Sequence, residues 1–373
     1  MVTRMVARTP GPVDLLIPLL TEPPDLSVLQ DDASWKIIQE NAGRYGVAAL
    51  IAYAVRPHVS HIERVWCDTV LIDNWRRYER MLGHLDYVLG LLASAGIPTI
   101  ALKGPLLARR YFDPPFLRKP SVDLDLAVTG QHLARACEVL VNAGYIQDRP
   151  IPEAQAWSHH IGLSNPARAR LELHFKLSHQ AVGIPVDEFF ERSVRCTLPS
   201  GRETQILGPA DQLLHLLLHF AHSRFGTLFH LYEIRRVFRA EPPKVRHEAI
   251  QRAIDHHFCG VLRMVDVAFG VRWGERFLPE DLAVPSTWLN WRLNEKLYRS
   301  FELYSEPGLA LTLRTRLRAR SLEFQITDGL SEAFSYSMLL LRTARFQFAA
   351  GGWGTAKNLT YGPGYSTPPS RGK

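Results

Sequence analysis

One stretch, Leu117-Arg118-Lys119-Pro120-Ser121-Val122-Asp123-Leu124-Asp125-Leu126-Ala127-Val128, constrains the fold most, because it places two carboxylates two residues apart in an otherwise apolar run. A period of two puts Val122, Leu124, Leu126 and Val128 on one face and Asp123 with Asp125 on the other, the pattern of a half-buried strand. Like charges on such a face repel and lose hydration, so the pair is costly unless a cation neutralises it. On that ground Asp125→Asn is expected to leave stability unchanged or improved. Carboxylates at i and i+2 of a strand lie roughly 6.6 Å apart at Cα, close enough to converge on divalent metal. Taken alone, the triplet also describes an acidic strand edge.

The preceding residues add an order of elements. Ile97-Pro98-Thr99-Ile100-Ala101-Leu102 reads as a short apolar strand and runs through Lys103-Gly104 into a helix over residues 105–112. Gly104 lets the backbone turn tightly, Pro105 suits a first helical position, and Lys103 adds a point charge beside a helix N-terminus suited to phosphate. An ordinary strand-to-helix turn with a solvated lysine has the same pattern. Further on, Arg170-Leu171-Glu172-Leu173-His174-Phe175-Lys176-Leu177 alternates again, so Glu172 and His174 share a face and Glu172 offers a third carboxylate.

This ordered set, Leu102-Lys103-Gly104, then Arg118 and Asp123-Leu124-Asp125-Leu126, then Leu171-Glu172-Leu173-His174, resembles the polymerase-β-type nucleotidyltransferase superfamily. The likeness is strongest to its poorly characterised bacterial branch, whose members are often encoded near peptide natural-product genes. It covers the segment from Gly96 to Leu177, and it departs from the usual Gly-Ser or Gly-Gly turn because Pro105 follows Gly104. The resemblance implies an α+β fold, a mixed sheet flanked by helices. It also implies transfer of a nucleoside monophosphate from an NTP to an acceptor, a peptide natural product or other small molecule, in a cytoplasmic setting. Asp123, Asp125 and Glu172 would then be the catalytic carboxylates and the ligands of Mg²⁺ or Mn²⁺. Lys103, Gly104 and Arg118 would bind nucleotide, with Arg118 orienting Asp123, and His174 and His219 would stand behind the ligands. A kinase-like phosphoryl transfer or an inactive nucleotide-binding module would use the same residues.

Bulk properties fit a globular chain. Its 373 residues are 46% hydrophobic and 22% charged, enough for more than one domain, and the net charge of +7 favours acidic ligands. Cys67, Cys137, Cys196 and Cys259 are scattered without the spacing of a zinc site or disulfide framework. No apolar run reaches the ~18 residues of a membrane span, so a membrane partner is not expected.

Along the chain, N-terminal helices are expected over 1–95, including a pair around Gly43-Arg44-Tyr45-Gly46 and a longer one from about Val70 to Ala95 ending at Gly96. The catalytic domain is assigned to 96–205, with a helix from Gln131 to Asn142, a short strand at Tyr145-Ile146, a loop holding Pro150 and Pro152, and a hairpin around Asn165-Pro166. A helical domain is assigned to 206–348. Its first helix carries Asp211, His215, His219 and His222 on one stripe, read as a polar seam in preference to a hydrolase metal site. Leu231-Tyr232-Glu233-Ile234 resembles a position where family members carry Asp. The alternating Arg314, Arg316, Arg318 and Arg320 scatter around a helix, which does not favour a nucleic-acid partner, and a Gly/Pro-rich tail over 349–373 is expected to be mobile.

Overall fold

The acidic strand owes its position to the two-sided character of its sequence. In the computed structural model, which describes residues 11–29, 31–177, 184–222 and 228–285 apart from the side chains at 156, 157 and 222, it is β2 (Asp123–Ala127), the middle strand of a seven-stranded mixed sheet. The sheet also contains β1 (Ile100–Ala101), β3 (Ile146–Gln147), β4 (His160–Asn165), β5 (Arg168–His174), β6 (Val194–Thr197) and β7 (Glu203–Ile206) in the order β3-β4-β5-β2-β1-β7-β6. β2 runs parallel to β5 and antiparallel to β1, while β4 and β5 form an antiparallel hairpin, as expected.

The helices before the sheet are α1 (Pro12–Leu19), α2 (Asp32–Ala42), α3 (Ala48–Val55) and α4 (His61–Ser94). Between strands lie α5 (Pro105–Tyr111), α6 (Leu133–Asn142), α7 (Ile151–Trp157) and α8 (Asp187–Phe190). After the sheet come α9 (Pro209–His222), α10 (Leu228–Ala240), α11 (Pro243–Asp255) and α12 (Cys259–Trp273).

Two apolar layers explain the assembly. On one face, Leu124 and Leu126 of β2 with Leu171 and Leu173 of β5 pack against Leu85, Val88 and Leu92 of α4 and against Leu133, Ala136, Cys137 and Leu140 of α6. The α6 set falls at i, i+3, i+4 and i+7, one stripe of a helix. On the other face, Ile100, Leu102 and Ala127 join a core made with α1, α3 and α9 to α12. The acidic side of β2 therefore faces the C-terminal helices.

Two local readings are corrected. α4 starts at His61, well before Val70, because Ser60 and Glu63 form a capping box in which each side chain accepts from the other's backbone N–H. The segment with Pro152 is α7, a helix whose proline sits in its first turn. β6 and β7 extend the sheet beyond β1. The Arg314 to Arg320 run, the tail over 349–373 and the His222 side chain lie outside the described residues.

Candidate active site

Strand register assembles the site. Asp125 and Glu172 are partners across the parallel β2/β5 pair, and Asp123 is paired with Arg170 one step back. On the far side of β5, His160 is the antiparallel partner of His174 and Gly162 that of Glu172. Directly paired residues share a face, so Asp123, Asp125, Glu172, His174 and His160 emerge together.

Gly162 is required by what lies above it. A Cβ there would meet Arg170 Nη2 and the Asp148 carboxylate, and the Gly162 N–H donates to Asp148 Oδ1 at 3.2 Å. Bare backbone at this point leaves Arg170, which approaches Glu172 to 3.7 Å, lying along the site's edge.

Lys103 pairs with Asp125. The turn that delivers it uses Gly104 at φ +76°, a left-handed conformation that glycine adopts without strain. Its Nζ lies 3.1 Å from Asp125 Oδ2, with both side chains under 10% exposed (9% and 3%). His174 Nε2 lies 3.1 Å from the other Asp125 oxygen and 3.8 Å from Glu172. His160 Nε2 stands 3.6 Å from the opposite Glu172 oxygen.

These neighbours split the carboxylates electrostatically. Burial alone would raise the Asp125 pKa, but the Lys103 ammonium and the His174 contact hold it well below the usual range. Glu172 is pushed up to about 7 by burial and by the charges of Asp125 and Asp123, and Asp123 is raised by burial and by Asp125. Burial opposes the charge on Lys103, yet Asp125, Asp123 and Glu172 raise it overall. The metal-free site thus holds one carboxylate whose pKa is lowered and two whose pKa values are raised.

Arg118 lies buried in the approach to β2. Its Nε donates to Glu233 Oε1, its Nη1 donates to Ser121 Oγ at 3.2 Å, and its guanidinium lies 5.7 Å from the Phe229 ring centroid. Glu233, from α10, is 1% exposed, so this ion pair ties the approach to β2 to the C-terminal helices.

The stripe on α9 divides among different neighbours. Asp211 is clamped by Arg192 at 3.0 Å and by Arg252. His215 faces the site, where burial followed by the Lys103 and His174 charges lowers its pKa to about 3. His219 packs edge-on against His230, ring centroids 4.7 Å apart.

The donor chemistry fits a divalent cation. One ligand atom each from Asp125, Glu172 and His174 lie within 4.8 Å of one another, and Asp123 shares their face. Carboxylate oxygens suit Mg²⁺ and Mn²⁺, and the imidazole suits Mn²⁺ better. Sequence reasoning missed His159 and His160: consecutive histidines have no strand or helix periodicity, and only the β4/β5 register brings them to His174.

No helix among the described residues is long and apolar enough to cross a membrane. No curated protein sequence matches the chain. The profile described as an uncharacterised nucleotidyltransferase matches residues 31–270, which takes in α2 to α11, the whole sheet and nearly all of α12. With that profile covering most of the sequence and all of the site just described, the chain belongs to this nucleotidyltransferase family.

Proposed function

We propose that the protein transfers a nucleoside monophosphate from an NTP to a small-molecule or peptide acceptor, releasing pyrophosphate. The observation that carries this reading is the Asp125–Glu172 pairing across β2 and β5, with Asp123 on the same face and Lys103 Nζ 3.1 Å from Asp125. Asp123, Asp125 and Glu172 would hold Mg²⁺ or Mn²⁺, which when bound neutralises triphosphate charge and polarises the phosphorus under attack. Lys103, at the Gly104 turn, supplies a fixed cation for the phosphates, and Arg118, buried in the approach to β2, adds a second. The acceptor oxygen attacks the α-phosphorus, the bond from that phosphorus to the bridging oxygen breaks, and pyrophosphate leaves with the electron pair. Glu172 either completes that metal set or, unliganded, accepts the acceptor's proton. His174 fixes the Asp125 carboxylate through its Nε2 contact.

The test is incubation with each of the four NTPs, labelled at the α- or γ-phosphate, with Mg²⁺ or Mn²⁺ and candidate acceptors. Label transfer from the α-position supports nucleotidyl transfer and identifies the base. Transfer from the γ-position would assign a kinase-like reaction, and tight NTP binding without turnover an inactive module.

A further inference from the structure

A nitrogen-rich cluster adjoins the carboxylates. His159 Nε2 and His160 Nδ1 lie 3.2 Å apart, and one ring nitrogen from each of His159, His160 and His174 falls within 4.8 Å of the others. The rings of His159 and His160 approach His174 to 5.1 Å and 5.2 Å. His159 and His174 are buried, and His174 Nδ1 has no hydrogen-bond partner.

We propose that His159, His160 and His174 bind a first-row transition-metal dication of the Zn²⁺ or Co²⁺ class, at a position that adjoins the oxygen-rich set and shares His174 with it. Tetrahedral coordination with metal–nitrogen bonds of about 2.0–2.1 Å places ligand nitrogens about 3.3 Å apart, which matches the 3.2 Å between the His159 and His160 nitrogens. A shared proton would explain that single distance but not the gathering of a third imidazole, one of whose nitrogens is sealed from water without a partner. The remote nitrogen of His160 faces Glu172 at 3.6 Å, the arrangement in which a carboxylate sets the tautomer and orientation of a metal-bound histidine. Three imidazoles with an open fourth position are a known catalytic ligand set for zinc, and imidazole discriminates against Mg²⁺.

The experiment uses the full chain without an affinity tag, stripped by chelator and reloaded with Zn²⁺, Co²⁺ or Mg²⁺ in the absence of nucleotide, so its failure leaves nucleotidyl transfer standing. Wild type is expected to retain about one equivalent of Zn²⁺ or Co²⁺ after desalting and to show the intense visible absorption of tetrahedral Co²⁺. His159→Gln and His160→Gln, checked for folding by circular dichroism, should each weaken Co²⁺ binding at least about tenfold. Weak octahedral Co²⁺ absorption in the wild type, or unchanged binding in both folded variants, would overturn the proposal. Should either variant fail to fold, the wild-type spectrum decides by itself: intense absorption supports the site and weak absorption refutes it.

Discussion

Lys103 Nζ stands 3.1 Å from Asp125 Oδ2, an ion pair almost closed to solvent in the middle of the acidic face. Repulsion between Asp123 and Asp125, expected from their spacing, is therefore not the dominant influence on Asp125, whose pKa is lowered by Lys103 and His174. Asp125→Asn should then destabilise the metal-free protein, contrary to the expectation from like-charge repulsion, because it leaves a buried ammonium without its partner. The expected loss is on the order of 3 kcal/mol, read by thermal or denaturant unfolding in the presence of chelator. Unchanged or increased stability would show that repulsion outweighs the ion pair.

Glu172 behaves in the opposite way. Its folded pKa of about 7 lies above its ordinary 4.5, so its contribution to stability is fully present below about pH 4.5 and is lost as pH rises through 7. Glu172→Gln is expected to raise metal-free stability at pH 8, by up to about 3 kcal/mol, and to leave it nearly unchanged at pH 4.5. The same titration governs metal: since Glu172 must lose its proton to become a ligand, apparent Mn²⁺ affinity should fall about tenfold per pH unit below 7 and level off above it. Isothermal titration across that range, with unfolding curves for the variant, checks both statements.

Arg118 and Glu233 are 115 positions apart in sequence but joined in a buried pair. Glu233→Ala should cost about 3–5 kcal/mol by leaving the guanidinium buried and unmatched. The double variant Arg118→Leu with Glu233→Leu should recover most of that stability, since apolar side chains remove both desolvated charges. If Arg118 also grips nucleotide, the double variant will fold yet bind NTP more weakly than wild type. Denaturation followed by NTP titration separates the two effects.

The sequence made the local half of this site readable. Asp123 and Asp125 on one face of β2, Glu172 and His174 on one face of β5, and the Lys103-Gly104 turn into α5 all follow from periods and turn chemistry within a few residues. What escaped is non-local or weakly patterned. The Lys103–Asp125 and Arg118–Glu233 pairs form only when distant elements pack, and the His159/His160 approach to His174 needs the β4/β5 register. β6 and β7 are four residues each, the last two strands at one end of the sheet and half-exposed, too short for alternation to stand out. The start of α4 was encoded in Ser60 and Glu63, but the largely polar, exposed turns after them hide the apolar stripe that would extend the helix back from Val70.

The central claim is that the carboxylates of β2 and β5 direct cleavage to the α-phosphorus. It is tested most directly by supplying NTP with Mg²⁺ or Mn²⁺ and resolving the products, with water as the acceptor if no better one is found. Wild type should yield pyrophosphate with NMP, free or attached to acceptor, and folded Asp125→Asn should be slower by on the order of 10³-fold or more. Formation of NDP with inorganic phosphate, or undiminished pyrophosphate release by the folded variant, would contradict the account.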